Sequence, residues 1–516
     1  MNPRISDGWA RHSARAVPRR FGIGAPGATR PTPFIGRWKL KVEGWLFFSF
    51  LFCAGCATYH AEPISPVQSA AAFDARSFTN PDLQAFLETN HANGPWPRRS
   101  WDLDALTLVA FYYQPALAEA RARWASVQAA KITAGERPNP TVSVTPGYDS
   151  QIPGNFSPWL VSLNLDVPIE TAGKRGKRLD QAAHLSEAAR WNFVSAAWQT
   201  RSRLRTALLN LYAARETESL LAGQESAQSN VVRLLEGQLA AGAAAEFEAT
   251  QARIVLDTTR LARQDADGQR HQARAQLAGA LGLPLPALQA VKFSFAGLDR
   301  FPRELTRPEI RRQALLNRAD VREALAEYAA TQSALQLEIA NQYPDVHLGP
   351  GYGWNTGNAG DNEWTLGLAV TLPVLNQNQG PIAEAKAKRA EAAAHFLTVQ
   401  TAAIGEIDGA LAGYRAALQQ AAIAKTLQDN LQKRLNSVRA QAEAGEADPL
   451  AEAGAEAESG TGAQSRLDAL VRAQQALGRL EDAVQSPLTL PPAALDAATN
   501  VSQRLPETLE RKERQP

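Results

Sequence analysis

Few residues of this chain belong to types that carry covalent or metal chemistry. Its 516 residues include two cysteines and seven histidines. The histidines, among them His184, His271, His347 and His395, stand apart and show none of the spacings that hold a metal ion. The sequence contains no nucleophile elbow, phosphate-binding glycine loop or zinc-binding helix pair. We therefore predict a protein that is not an enzyme, with no catalytic residue, no cofactor and no bound metal.

The two cysteines lie together at the end of an apolar run. Residues 45–54 are mostly apolar and follow a short basic stretch, which is typical of a secretory signal peptide rather than of a membrane helix. The run ends in Cys53-Ala-Gly-Cys56 and resembles a bacterial lipobox, although Cys53 stands where leucine is usual. We predict that residues 1–56 are a leader and that Cys56 becomes an acylated N-terminus, as in palmitate-bearing lipoproteins. The alternative is ordinary cleavage, with Cys56 lost or left as a plain thiol.

Composition and charge exclude several classes of protein. The 54 basic and 52 acidic residues give a net charge of +2, whereas nucleic-acid binders usually carry a basic face. An apolar fraction of 45% suits a folded chain, and no run reaches the ~18 apolar residues that a membrane helix needs. The carboxylates stand mainly on alanine-rich stretches beside arginine and lysine, a pattern typical of solvated helix faces. A disordered chain and a helical membrane transporter are therefore excluded, and a nucleic-acid binder has no support.

The chain contains a tandem repeat. The segment PTVSVTPGY at 140–148 recurs 204 residues later as PDVHLGPGY at 344–352, and flanking matches keep the same order and nearly the same offset. So long a period indicates one duplicated unit rather than a solenoid of short repeats. The predicted divisions are a leader at 1–56, an N-terminal segment at 57–100, a first repeat at 101–308, a second repeat at 309–485 and a C-terminal tail at 486–516.

Each unit is predicted to be mainly α-helical, with one β-hairpin between its helices. Steps of three and four between apolar residues from Ile404 to Ala421 indicate coiled-coil packing. A helix of about 63 residues is a rod of roughly 95 Å, beside which a shorter opening helix and a return helix could lie end to end. The predicted ranges are 106–136 and 309–342 for the opening helices, 177–240 and 382–444 for the rods, and 244–281 and 449–485 for the return helices.

The hairpins are predicted at 140–168 and 344–373. The second strand of each alternates apolar with small or polar residues, as a half-buried strand does. Strands of about ten residues cross a bilayer when tilted, and aromatic residues stand at their ends as in an interfacial girdle. We therefore predict that the apolar set faces lipid and that the other set faces a lumen: Ser162, Asn164, Asp166, Gly367, Ala369 and Thr371. The alternative is a soluble hairpin whose apolar side faces a core.

Glycine, proline and acidic residues mark the predicted turns. The strand-to-helix turns are predicted at Pro168, Gly173, Pro373 and Gly380, and the far tips of the rods at Gly242, Glu246, Gly445 and Asp448. The tips lie a full rod length from the strands, so in a channel they would form the entrance, where carboxylates attract cations. Alternatively, Glu246 and Asp448 only cap the return helices, because acidic residues are favoured in a first helical turn.

Five short motifs accompany the duplication. They are Gln114-Pro115, Arg137-Pro-Asn-Pro140, VPIETAGKR at 167–175, Arg322 and Tyr343-Pro-Asp345. Together with the repeat, over residues 101–485, they resemble the TolC-like outer-membrane efflux proteins, or outer-membrane factors. The VPIETAGKR segment is most similar to the lipoprotein channels of the cobalt-zinc-cadmium and copper-silver efflux branch. Two departures are the replacement of that segment in the second repeat and a glutamine at 114 where asparagine is usual.

The resemblance implies a mainly α fold with a small β part. In that family, a long α-helical barrel of coiled-coil rods joins a trimeric twelve-strand transmembrane β-barrel, to which each chain contributes four strands. Physical reasoning also requires oligomerisation, because four strands cannot close a barrel and an open edge in lipid leaves backbone groups unsatisfied. The residues alone do not choose between two copies and three.

The function implied by the resemblance is a passive exit channel of a tripartite efflux system. The chain would lie in the bacterial outer membrane, with a lipid anchor and a large periplasmic part that includes residues 57–100. Its partners would be outer-membrane lipid, a periplasmic adaptor (membrane fusion protein) and an inner-membrane pump of the resistance-nodulation-division type, with no nucleic acid. Heavy-metal ions are one candidate cargo. The alternatives are a channel for type I protein secretion or drug efflux, and a periplasmic coiled-coil scaffold.

Overall fold

The fold is taken from a computed structural model, which describes residues 58–90, 95–148, 150–151, 158–302, 306–355 and 362–488. The predicted leader with Cys56 lies outside the described residues, as does the tail beyond residue 488. Within the described ranges, the residues from Pro66 onward form one compact unit. None of the helices in the described ranges is long and apolar enough to cross a membrane.

Helices make up most of this unit, as the sequence predicts. The ten α-helices within the described residues are Pro66–Asp74 (α1), Pro81–Thr89 (α2), Leu103–Tyr113 (α3), Pro115–Gly135 (α4), Lys174–Ala240 (α5), Glu246–Leu281 (α6), Arg307–Asn317 (α7), Ala319–Ala340 (α8), Gln379–Glu443 (α9) and Pro449–Val484 (α10). The rods α5 and α9 contain 67 and 65 residues and are therefore each about 100 Å long. Both begin and end within a few residues of the predicted bounds.

The prediction of unbroken opening helices was wrong in both repeats. The first is divided at Gln114, whose ψ of 118° is extended, because the ring of Pro115 disfavours a helical residue before it. The second is divided at Arg318, where ψ is 128° and no proline follows. There the side chain explains the break, since Arg318 Nη1 donates a hydrogen bond of 2.7 Å to the carbonyl of Ala483, at the end of α10.

The opening and return helices lie end to end beside the rods, as predicted. Gln114 Nε2 donates to the carbonyls of Gly279 and Ala280, near the end of α6, over 2.7 and 2.8 Å. Arg318, 204 residues later, makes the corresponding bond to Ala483. In each repeat, therefore, the return helix ends where the second part of the opening helix begins, and a side chain between them satisfies carbonyls that the helix end leaves free.

The helices of the two repeats form one layer of four columns. α5 packs against α4 and α6 on one side and against α8 and α10 on the other, and α9 packs against α8 and α10. The columns are therefore α4 with α6, then α5, then α8 with α10, then α9. Large apolar side chains are buried at mid-rod in two clusters. One contains the predicted coiled-coil residues Ile407, Leu411 and Tyr414 of α9. The other lies on α5 and includes residues from α2 and from the linker after α6.

The two hairpins form a single antiparallel sheet. Its strands are Thr141–Tyr148 (β1), Trp159–Ile169 (β2), Val346–Asn355 (β3) and Asn362–Val370 (β4), paired in the order β1-β2-β3-β4. The central pairing joins the repeats, with Leu163 opposite Tyr352 and Val167 opposite Leu348. The first repeat and the second therefore depend on each other in the sheet as well as in the helical layer.

Candidate functional site

The sheet has one continuous apolar face. Residues opposite one another in an antiparallel pair point to the same side, and residues alternate along each strand. From the register, most apolar residues of all four strands share one face: Val142, Val144, Pro146 and Tyr148; Trp159, Val161, Leu163, Leu165, Val167 and Ile169; Val346, Leu348, Pro350, Tyr352 and Trp354; and Trp364, Leu366, Leu368 and Val370. In the single chain Trp364, Leu366 and Leu368 are 81%, 73% and 69% exposed, so this face must meet lipid or protein elsewhere.

The opposite face is mainly small and polar, although Leu160 and Pro168 also lie on it. The register places five of the six predicted lumen residues on it, since Ser162 pairs with Gly353, Asn164 with Gly351, Asp166 with Thr141, Gly367 with Gly349 and Ala369 with His347. Thr371 lies just beyond the end of β4. A Cβ atom at Gly351 would come too close to Asn164 Oδ1 and Thr365 Oγ1, so a larger residue there would require both of these side chains to move.

The strand-to-helix turn of the first repeat is held by a network of polar contacts. Gly173 has a φ of +69° and precedes α5, a conformation that favours glycine. Lys174 Nζ lies 2.8 Å from Asp345 Oδ1, and the N–H of Thr171 donates to the same oxygen over 2.9 Å. Arg178 pairs with Glu170 over 3.0 Å. The VPIETAGKR segment therefore ties the start of α5 to the entry of β3, which explains chemically why its residue types occur together.

The corresponding turn of the second repeat uses asparagine. Pro373 follows β4 as predicted, but Gly380 is the second residue of α9 rather than a turn residue. The residue with a positive φ, +62°, is Asn378, and asparagine tolerates this conformation better than most residues. Its Nδ2 donates to the carbonyl of Glu338 over 2.7 Å, so the turn is fixed to the end of α8.

Acidification should weaken the contacts that hold the strand-to-helix turn of the first repeat. Burial alone raises the pKa of Asp345, but the hydrogen bonds from Lys174 and from the N–H of Thr171 outweigh it and hold that pKa below its usual value. A lowered pKa stabilises the fold above the unfolded value of about 3.9, and this contribution is lost as the pH falls through the folded value. We expect Asp345→Asn to lower stability at pH 7 by about 1 kcal/mol, and the difference from wild type to shrink as the pH falls below about 4, disappearing once the pH is below the folded pKa.

Thermal unfolding of both proteins between pH 3 and pH 7 measures this difference. Glu384→Gln is a suitable control, because Glu384 forms an exposed i,i+4 pair with Lys388 in α9, and such pairs contribute little. A difference between Asp345→Asn and wild type that stayed constant down to pH 3 would contradict the assignment of the charge.

The tips of the two rods lie side by side. Gly242 and Gly445 have φ values of +72° and +77°, and Gln238 Nε2 donates to Asp448 Oδ2 over 3.4 Å. Asp448 caps α10 by accepting from the N–H of Leu450. At the other tip Glu248, not Glu246, accepts from the N–H of Ala245. Capping is therefore observed for Asp448, while Glu246 occupies the first position of α6.

A buried cluster of charges, which the sequence analysis missed, joins the repeats at mid-rod. This waist cluster comprises Arg201 and Arg205 of α5 and Glu481 of α10. Glu481 is only 2% exposed, and its Oε2 lies 3.5 Å from Arg201 Nη1 and 3.4 Å from Arg205 Nε. The interpretation of the acidic and basic residues as solvated faces was wrong here. A possible signal was their spacing: Arg201 and Arg205 stand four apart on one helix face.

Groups around the waist cluster are hydrogen-bonded. Trp198 Nε1 and Ser202 Oγ donate to the carboxylate of Asp482 over 3.0 and 2.7 Å. Gln474, 2% exposed, accepts from Arg205 through its side chain. Burial raises the pKa of Asp104, against the opposing effect of Arg201. The described residues contain no group of three His, Cys, Asp or Glu placed to hold a metal ion. The cluster is a set of polar contacts between α5 and α10.

Two parts of this geometry together suggest transport across an envelope: a sheet with one apolar and one polar face, and rods of about 100 Å attached to it. The sequence model of the family described as "Outer membrane efflux protein" matches residues 112–283 and 310–484, more than half of the chain. The chain belongs to the outer membrane efflux protein family. The family resemblance inferred from the sequence motifs is thereby confirmed.

Two named relatives share only about a quarter of the aligned residues with this chain. The cobalt-zinc-cadmium resistance protein CzcC of Cupriavidus metallidurans is 26% identical over 216 residues, 42% of this chain and 50% of its own. The pyoverdine export outer membrane protein OpmQ of Pseudomonas aeruginosa is 24% identical over 300 residues, 54% and 62% of the two chains. The chain thus spans about half to three fifths of the length of these curated relatives.

The fold is also that of solved outer membrane channels. The outer membrane protein VceC of Vibrio cholerae superposes with a TM-score of 0.60 over 74% of this chain and 96% of its own, at 19% identity. This agreement confirms the predicted fold class, a long helical part with a small β part, for the outer membrane efflux protein described here.

Proposed function

We propose that this protein is a passive exit channel in the outer membrane of a tripartite efflux system. The sheet carries this proposal. Its continuous apolar face suits lipid, and its small and polar face suits a water-filled lumen. The alternative of a soluble hairpin is disfavoured because most apolar residues of the four strands are on one side and many of them remain exposed. A periplasmic scaffold would have no use for such a face.

The open edges of the protomer support a ring of copies. β1 and β4 each pair on one side only within the described sheet, and an unpaired strand edge in lipid leaves costly backbone groups. Three copies would supply twelve strands and leave a lumen, whereas eight strands are filled by side chains. The homotrimer is therefore the arrangement that we propose.

The edges of the helical layer carry apolar residues that fit the same ring. Phe247, Ile254 and Leu261 of α6 are 73%, 53% and 69% exposed and stand seven residues apart, the spacing of a coiled-coil seam. On the opposite edge Ile423 and Leu427 of α9 are 70% and 46% exposed. Closing the layers of several copies into a ring would place α9 of one copy beside α6 of the next. Both sets of exposed apolar side chains would then be removed from water.

The remaining parts of the proposal concern partners and location. A passive channel has no energy source, so an inner-membrane pump and a periplasmic adaptor would supply energy and cargo. Heavy-metal ions are one candidate cargo, because CzcC is a cobalt-zinc-cadmium resistance protein; export of small organic molecules is the alternative, because OpmQ exports pyoverdine. Acylation of Cys56 would add a lipid anchor, which the mass of the mature N-terminal peptide can test.

The tips of the rods are the proposed entrance. They lie at the end of α5 and α9 remote from the sheet, and copies of Glu246 and Asp448 would ring the opening in a trimer. Because Asp448 also caps α10, charge must be removed without removing the cap. Glu246→Gln with Asp448→Asn does so, since the amide oxygen of asparagine is a good N-cap acceptor.

Conductance in planar lipid bilayers tests the channel and its entrance. We expect the purified wild-type protein to require detergent, to be trimeric and to conduct ions. The Glu246→Gln/Asp448→Asn variant should conduct with a reduced preference for cations while its trimer melts as the wild type does. Asp448→Ala is the matched control for the cap, and should cost about 1 kcal/mol of stability. A monomer that is soluble without detergent and does not conduct would refute the channel, and unchanged selectivity in the double variant would refute the entrance.

A further inference from the structure

The structure brings together a histidine and a carboxylate that are 181 residues apart in sequence. His347 Nδ1 lies 3.0 Å from Asp166 Oδ1 and 3.1 Å from Asp166 Oδ2. His347 belongs to β3, between Pro168 of β2 and Ala369 of β4, and Asp166 belongs to β2, opposite Thr141 of β1. Both residues are therefore on the small and polar face of the sheet.

The pair is open to solvent. The side chains of His347 and Asp166 are 40% and 49% exposed, because the residues around them on this face are small. Gly349 and Gly367 stand opposite each other on the adjoining strands, and Ala369 is opposite His347. A hydrated ion that passes over this face can therefore approach the pair without displacing a bulky side chain.

The other charged groups near the pair are already matched with opposite charges. Asp345, before β3, is paired with Lys174 of α5. Glu170, after β2, is paired with Arg178. The segment before β1 carries one charge of each sign, Glu136 and Arg137. From the neighbouring strands the pair meets Thr141 and Ala369, which do not titrate. On this face Glu363 lies towards the other end of β4.

We propose that Asp166 and His347 set the cation selectivity of the channel and make it depend on pH. This inference rests on the proposed function, because it requires the polar face to line a lumen. A protonated imidazole beside Asp166 compensates the charge of the carboxylate, and small cations then gain nothing from the pair. Histidine is the side chain whose charge ordinarily changes between pH 5 and pH 8. When the imidazole loses its proton, the carboxylate is left uncompensated and attracts cations, once in each copy of the chain.

Reversal potentials in a potassium chloride gradient test this proposal on the full-length trimer. We expect the wild-type ratio of cation to anion permeability to rise from pH 5 to pH 8. One unit charge acting at about 10 Å through water changes the local concentration of a cation roughly twofold and that of an anion roughly twofold in the opposite direction, which is roughly a fourfold change in that ratio. His347→Gln should abolish the rise and keep the high ratio at both pH values. Asp166→Asn should lower the ratio at both pH values and leave it lowest at pH 5, because a protonated imidazole then has no carboxylate beside it.

His271→Gln is the matched control. His271 is also close to an aspartate, with Nε2 3.6 Å from Asp267 Oδ1, but the pair lies on α6 rather than on the sheet. This variant should keep the wild-type pH dependence, and all variants should melt as trimers at the wild-type temperature. A wild-type ratio that does not change between pH 5 and pH 8, or a pH dependence that survives in His347→Gln, would overturn the proposal. Failure of the wild type to conduct would instead refute the proposed function.

Discussion

Replacement of Glu481 by alanine should lower the free energy of unfolding by about 3–5 kcal/mol, the cost of removing one partner from a buried ion pair. Glu481 is 2% exposed, and Arg201 and Arg205 would be left in the waist without their carboxylate. Burial lowers the pKa of Arg205 and so disfavours its charged form. The carboxylate of Glu481 has the opposite effect and favours the charged form. Denaturant unfolding, followed by the helical signal in circular dichroism, measures the loss.

A matched control is present on the same helix. Glu458 of α10 pairs with Arg434 of α9 over 2.6 Å, but its side chain is 48% exposed. Glu458→Ala should therefore cost less than about 1 kcal/mol. Glu481→Gln should fall between the two alanine variants, because the amide still accepts hydrogen bonds but carries no charge. Equal losses for Glu481→Ala and Glu458→Ala would contradict the view that the waist cluster holds the two repeats together.

Arginine on the apolar face of the sheet should prevent assembly, whereas arginine on the polar face should be accepted. At the middle of a bilayer, arginine facing lipid costs about 2–4 kcal/mol in a β-barrel. Leu163→Arg and Leu368→Arg place the charge on the apolar face. Asn164→Arg and Ala369→Arg, one residue further along in each strand, place it on the other face and should change ion selectivity instead. The fraction of trimer recovered from the outer membrane measures assembly.

The neighbouring positions make this comparison a strict one. Each pair of variants changes adjacent residues of one strand, so that strand propensity and distance from the membrane surface are nearly equal. Only the face differs. If the variants of both faces assembled equally well, the assignment of the apolar face to lipid would be wrong, whatever the oligomeric state of the protein.

The sequence by itself determined the elements and their order. Periodicity is a local property: the alternation from Val161 to Val167 and the three-four spacing from Ile404 to Ala421 each report a single strand or helix and the face that it buries. The duplication then predicted that both halves use the same order of elements. Helix bounds were predicted closely at Gly242 and Gly445, because a positive φ at a helix end is a local requirement that glycine satisfies.

Only the tertiary structure decided which distant residues meet. The pairing of β2 with β3, the burial of Glu481 between Arg201 and Arg205, and the contact of His347 with Asp166 all join residues more than 150 positions apart. Periodicity carries no information about such pairs. The break at Arg318 and the turn at Asn378 escaped prediction for the same reason. Each depends on a hydrogen bond to a carbonyl of another helix, Ala483 or Glu338, which exists only once the helices are packed together.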